Sequence, residues 1–338
     1  MYRPYPILFL LGLASPAAAP AQMQQSTIWT LASGAFTIFG HTEYTPTLVL
    51  LPRIVYDTSR RLDSLRTVDS VRLASVTVTN GFAAGLTAWP TDRYCGGITS
   101  GTMQTLDARY LLPRIQLAAR CNVRLVIVPP RRRLTTNGFT NGIFSVDSAK
   151  RLTDSYAAAL PADTIRKYRA TILGLNLADD YACADCWGGK PITQAQIASW
   201  AAYTRTRLPG LPLGVRVTPD WVAVSTTLPP LLDYTWAQYH ARKGDVQVFY
   251  DKTADIASRL GLKVVMGVNV EDCYGVATDA CSAADLTRFG TVAVSHPASC
   301  AFLSWRYEET TWQSPDIRAA WDGLLALARA REGRDCRR

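Results

Sequence analysis

Two pairs of adjacent carboxylates, Asp179-Asp180 and Glu271-Asp272, each follow an apolar run that reads as a strand covered on both faces. The first run is Ile-Leu-Gly-Leu-Asn-Leu-Ala over 172–178, and the second is Val-Val-Met-Gly-Val-Asn-Val over 264–270. In parallel α/β folds, chemistry collects where such strands end. Two carboxyl groups across a small pocket suit acid/base work, one giving a proton to a leaving oxygen while the other attacks carbon or activates water. Strand patterns at 213–217 and 232–236 lie between the two runs, so the pairs stand three strands apart. In a closed eight-stranded barrel that spacing sets them on nearly opposite sides of the mouth. The plainer expectation for loop acids is helix capping or pairing with arginine.

Aromatic and polar side chains gather around the same strand ends. Trp89, Trp187, Trp221, Trp236 and Trp305 fall at or just past proposed strand ends, where indole faces could hold the flat apolar faces of a ring-shaped substrate. Trp200 and Trp321 lie inside helical patterns and read as core. The stretch 232–240 supplies Gln238 and Tyr239 as partners for hydroxyl groups and His240 as a proton carrier. The last strand runs into Trp305, Arg306, Tyr307, Glu308 and Glu309, offering a cation that a neighbouring glutamate could equally neutralise. The chain has 3 histidines, His41, His240 and His296, too scattered for a three-histidine zinc site, so neither metal nor cofactor is expected. Cys183-Ala-Asp-Cys186 has redox spacing but runs into Trp187-Gly188-Gly189 and not a clear helix, which favours a structural disulfide. No Gly-x-Ser-x-Gly elbow, glycine-rich dinucleotide fingerprint, phosphate loop or RNA-binding aromatic pattern occurs.

The elements that must position these residues follow from the wider pattern. Residues 1–21, with Arg3, a short apolar run over 7–13 and Ala19-Pro20-Ala21, have the parts of a secretory signal. The apolar run is too short to span a bilayer, so a secreted or periplasmic protein without a membrane anchor is expected. Residues 22–74 form an irregular or β-rich extension to which no function is assigned. Over 75–338 strand and helix signals alternate, predicting a (β/α)8 TIM barrel. Strands are predicted at 84–89, 123–128, 171–177, 213–217, 232–236, 264–270 and 302–305, with a weak eighth at 291–294. Helices are predicted at 106–120, 146–160 continuing through 164–169, 192–207, 246–260 and 317–331. The formal charge of +9 is scattered apart from Arg131-Arg132-Arg133, which reads first as a solvated loop, and no nucleic-acid partner is expected. The 8 cysteines, an even number in an exported chain, predict disulfides. Cys183 with Cys186 and Cys273 with Cys281 are plausible local pairs that would stiffen the loops after the two carboxylate-tipped strands.

The strand end Leu175-Asn176-Leu177-Ala178-Asp179-Asp180-Tyr181 resembles the acid/base strand of secreted glycoside-hydrolase-like TIM barrels, which often closes in Asp-Glu-Pro. Asp180 stands at the Glu position and Tyr181 at the Pro position; Glu271 occupies a place similar to the nucleophile of retaining members. The resemblance implies a carbohydrate substrate cleaved at an O-glycosidic bond, with Asp180 as proton donor, Asp179 as the alternative inward-facing acid, and Glu271 as nucleophile or base. It also implies subsites lined by Trp236, Gln238, Trp305 and Arg306; from their places at strand ends Trp89, Trp187 and Tyr239 are expected to bind substrate as well, and the protein is expected to be a monomer. Asp is one methylene shorter than Glu, so the alternative is a non-catalytic, secreted carbohydrate-binding barrel.

Overall fold

The computed structural model describes residues 27–31, 34–38, 81–275 and 279–338. The expected signal segment and most of the 22–74 extension lie outside the described residues. The chain divides into two units, Met1–Ala74 and Ser75–Arg338. In the first, β1 (Thr27–Leu31) and β2 (Gly34–Ile38) form an antiparallel hairpin.

The second unit is the predicted barrel. Its eight strands are β3 (Ala83–Leu86), β4 (Gly101–Thr105), β5 (Arg124–Val128), β6 (Ile172–Asn176), β7 (Leu213–Val215), β8 (Tyr234–Tyr239), β9 (Lys263–Val268) and β10 (Ser299–Ser304). They pair in parallel from β4 through β10, and β10 returns to pair with β3. Most strand positions are buried because helices cover the outer face, as a parallel sheet requires. Its α-helices are α1 (Ala108–Arg120), α2 (Val146–Ala159), α3 (Ala162–Lys167), α4 (Gln194–Arg207), α5 (Pro219–Ala223), α6 (Val246–Arg259), α7 (Ala283–Ser295), α8 (Glu309–Trp312) and α9 (Pro315–Arg329).

Two expectations are corrected. The weak eighth strand at 291–294 lies in α7, where Leu286, Phe289, Gly290, Ala293 and Val294 form a buried stripe at helical spacing. Tertiary packing of that stripe, with Gly290 against Leu324 of α9, overrides the β-branched character of Thr291 and Val292. The eighth strand is instead β4, Gly-Thr-Met-Gln-Thr. It has little apolar alternation because hydroxyl groups close the seam between β3 and β4: Thr102 Oγ1 donates to the Leu86 carbonyl at 2.7 Å and Thr99 Oγ1 to that of Ala84 at 3.2 Å. A Cβ on Gly85 would stand 1.5 Å from the Gly101 carbonyl oxygen, so glycine permits this close approach. The expected continuous helix over 146–169 is split at Pro161, which precedes α3 and cannot continue an α-helix.

Inside the barrel, the Tyr234 ring occupies space left by glycines on two adjacent strands. Cβ atoms on Gly174 and Gly214 would stand 2.6 Å and 2.1 Å from that ring. The N-terminal end of the barrel is sealed by the C-terminal tail. Cys336 pairs with Cys300, Arg338 N–H donates to Asp233 at 3.1 Å, and buried Arg124 donates to the Arg334 carbonyl at 2.8 Å. Burial pulls the Arg124 guanidinium down to about 10. Both expected local disulfides are formed, together with Cys95–Cys121 and Cys300–Cys336, leaving no free cysteine. Among the described residues no helix is long and apolar enough to cross a membrane.

Candidate active site at the barrel mouth

The chain after β6 turns sharply, and the turn sends its two aspartates in different directions. Asp180 takes a left-handed backbone conformation, φ 54°, which Asp tolerates better than most residues. Its N–H donates to Asp179 Oδ1 at 2.9 Å, and its carbonyl accepts from Cys183 N–H at 3.0 Å and Trp187 Nε1 at 3.1 Å. The Cys183–Cys186 disulfide closes the same turn. Asp180 is exposed, and its carboxylate pairs with Arg131 at 2.6 Å.

Asp179 is half-buried and accepts from Arg216 at 2.5 Å. Arg216 follows β7 directly, and its guanidinium lies 4.3 Å from the Trp305 ring centre and 5.5 Å from that of Trp236. Its Nε and Nη2 donate to Gln238 Oε1 at 3.1 Å and 2.8 Å, which fixes the amide orientation and turns Gln238 Nε2 away from the pair. Burial raises the Asp179 carboxyl above the ordinary range; the Arg216 charge opposes that rise without cancelling it.

These groups line one cavity of about 350 Å³ at the C-terminal end of the barrel. Asp179, Asp180, Trp221, Trp236 and Gln238 line it together with Arg216 and Lys243. Trp305 borders it through its contact with Arg216, and the Trp305–Arg306 peptide is cis. Trp221 stacks on Tyr181 with ring centres 4.6 Å apart.

Other residues singled out from the sequence lie elsewhere. Trp89 is buried edge-on against Tyr307 and Trp312 at 4.9 Å and 4.8 Å. Trp187 is buried under Arg131, 5.1 Å away, with its edge against Phe144. Tyr239 faces the helical layer, packed on Phe249 and Phe289, and donates its hydroxyl to the Gly244 carbonyl at 2.5 Å. Arg306 pairs with Glu308. Glu271 lines a separate gap of about 10 Å³ with Arg306, Glu308, Thr311 and Trp312, and does not line the Asp179 cavity. Burial raises its carboxyl, Glu308 adds to the rise, and Thr311 and Arg306 oppose it.

His240 is half-buried, and burial lowers its pKa, aided by Lys243 and Arg242 and opposed by Asp272. His296 lies apart, bonded to Asp251 at 3.1 Å. Among the described residues no group of three or more His, Cys, Asp or Glu is placed to hold a metal ion. Of the arginine run, Arg131 pairs with Asp180, while Arg132 and Arg133 line another concavity of about 520 Å³ with Asp107 and Arg151.

No protein-family model matches the chain, and no curated protein matches it. Among solved structures, it is similar to SrfJ from Salmonella typhimurium, with 13% identity and a TM-score of 0.53, covering 75% of this chain and 76% of that one. A GH30 endoxylanase from Clostridium papyrosolvens C71 gives 10% identity and a TM-score of 0.49, covering 75% of this chain and 73% of that one. A β-mannanase from Streptomyces thermolilacinus, solved with mannohexaose, gives 11% identity and a TM-score of 0.49, covering 75% and 92%. The SrfJ likeness is one of fold.

Sequence reasoning missed Arg216 and Lys243. The strand predicted at 213–217 takes in Arg216, whereas β7 ends at Val215 and leaves Arg216 directly past the strand end. A lone arginine in the otherwise apolar run Leu-Gly-Val-Arg-Val was the available signal.

Proposed function

We propose that this chain is an exported, carbohydrate-acting barrel of glycoside-hydrolase type that takes its sugar at the mouth around Asp179. One observation carries the reading: a concave mouth holds a carboxyl group lifted by burial beside two indoles and an amide that can bond hydroxyl groups. A raised carboxyl is what a proton donor to a leaving glycosidic oxygen needs, since it must keep its proton until the bond breaks. Asp179 therefore takes the donor role ahead of Asp180, whose carboxylate is exposed and held by Arg131. Trp221 offers a ring face to the sugar, Trp236, only 1% exposed, floors the cavity, and Gln238 Nε2 bonds a hydroxyl oxygen. Four disulfides support export to an oxidising compartment.

Hydrolysis by two carboxylates further requires Glu271 to reach the same cavity, as nucleophile at about 5–5.5 Å from the donor or as base at about 6.5–9.5 Å. The separate gap around Glu271 favours a second reading, a barrel that holds carbohydrate without cleaving it. Reducing-sugar release from a panel of neutral and acidic polysaccharides separates the two. The hydrolytic reading expects release that Asp179→Asn and Glu271→Gln each abolish while the thermal unfolding transition is retained. Release undiminished in both variants refutes it. Retention on immobilised glycan without release selects the binding reading.

A further inference from the structure

Beside the Asp180 carboxylate, which Arg131 holds, the mouth carries several hydrogen-bond donors without full use. Gln238 Nε2 is buried and has no hydrogen-bond partner, because Arg216 takes up the amide oxygen on the other side. A buried amide N–H without an acceptor is costly, so it marks where an acceptor belongs. Lys243 Nζ, which lines the same cavity, makes one bond, to the Gln238 backbone carbonyl at 2.8 Å. Arg216 commits Nε, Nη1 and Nη2 once each, leaving two of its five N–H groups for a ligand. Contacts with Trp305 and Trp236 hold the guanidinium in place before any ligand arrives.

The charge balance points the same way. Arg216 has a single carboxylate partner, Asp179. When Asp179 carries the proton it must donate, Arg216 is left in a half-closed site without a counter-charge. A hydroxyl group cannot replace that charge, whereas a ligand carboxylate can. Its arrival would also remove the attraction that draws Asp179 towards its ionised form.

Resting on the carbohydrate reading above, we propose that the sugar bound at the mouth is a uronic acid, its carboxylate received by Arg216, Lys243 and the Gln238 amide. A planar carboxylate matches the guanidinium edge, and the lysine and amide supply the remaining donors. The mouth thus selects acidic over neutral glycans by the loss suffered when its cations face a hydroxymethyl group.

Methyl esters of uronate oligosaccharides provide the matched control, since they keep the sugar and linkage and remove only the charge. Calorimetric titration of the intact, oxidised protein uses oligogalacturonates, oligomannuronates and glucuronate-containing xylo-oligosaccharides, each with its methyl ester, alongside neutral manno- and xylo-oligosaccharides. At least one acid should bind at least tenfold more tightly than its ester. Lys243→Gln, an exposed substitution, should reduce that preference severalfold, and rising salt should erode it. Asp179→Asn, which frees Arg216, should preserve or increase binding of the acid. Binding of acid and ester with equal affinity overturns the uronate inference and leaves the carbohydrate reading standing. Failure of every acid, ester and neutral sugar to bind overturns both.

Discussion

The Asp179–Arg216 pair ties stability to pH in a direction that a substitution can check. Arg216→Gln removes the cation and leaves the half-buried Asp179 carboxyl without its charge partner. Two unit charges about 4 Å apart attract by about 4 kcal/mol at an effective dielectric constant near 20. Side-chain exposures of 12% for Arg216 and 21% for Asp179 admit some solvent screening. A net loss of about 2 kcal/mol at neutral pH follows, between the small value of exposed pairs and the 3–5 kcal/mol of broken buried ones. For a domain of this size that lowers Tm by roughly 4 °C. Burial already raises the Asp179 carboxyl in the folded protein, with Arg216 opposing. The folded state therefore holds this proton more tightly than the unfolded chain, and the group's contribution to stability falls as pH rises from about 3.9 through the raised value. Without Arg216 the carboxyl rises further and the decline steepens. The Tm deficit of the variant should be largest near neutral pH and shrink on acidification, where Asp179 is neutral in both proteins and only the lost Gln238 hydrogen bonds and indole contacts of Arg216 remain. Scanning fluorimetry of the two oxidised proteins across that range measures it. A deficit of constant size at every pH, or a variant more stable at neutral pH, would refute the coupling.

Two further predictions concern the frame that holds the mouth. Cys300→Ser with Cys336→Ser opens a link of sequence separation 36 that fastens the tail over the barrel's N-terminal end, and chain entropy alone makes this worth about 4 kcal/mol. The double variant should show a clearly lower urea midpoint, and an unchanged one would show that the tail hydrogen bonds suffice. The Tyr234 hydroxyl is buried without a partner, so Tyr234→Phe should be neutral or stabilising by up to about 1 kcal/mol, while Gly214→Ala, whose Cβ would meet that ring at 2.1 Å, should destabilise by at least about 1–3 kcal/mol. Urea unfolding checks both, and a destabilised Tyr234→Phe would reveal a hydrogen bond to that hydroxyl.

The barrel was legible because seven of its strands are apolar runs bounded by turn or helix signals, the pattern a doubly covered parallel strand requires. Strand β4 escaped because its role is to close the seam with hydroxyl groups and a glycine, so it lacks the apolar content that identifies a strand. The segment 291–294 misled for the opposite reason: its Ala293 and Val294 end a helical stripe whose start, Leu286, Phe289 and Gly290, lies upstream, while Thr291 and Val292 fall outside that stripe.

Site residues were harder to assign than strands because the side-chain alternation of a strand is useful only when the strand's end is known. The sequence pattern ended β8 at Trp236, whereas the strand runs through Tyr239. That extension draws Trp236 down beside the barrel core, where its Nε1 donates to the Leu303 carbonyl at 3.1 Å, and makes Gln238 the residue that meets Arg216. Tyr239, one position later, must then point to the opposite face, where it packs on Phe249 and Phe289. At β9 the ladder ends at Val268 and an isolated bridge joins Asn269 to Trp305, leaving Glu271 beyond the paired strand in its own gap beside Arg306 and Glu308. The two aspartates after β6 show the same limit on a smaller scale. Equal in type and adjacent in sequence, they are separated by one left-handed residue into a half-buried acid on Arg216 and an exposed carboxylate on Arg131. A carboxyl pair in sequence therefore locates a mouth, but it is burial after the turn, opposed and not cancelled by the Arg216 charge, that lifts Asp179.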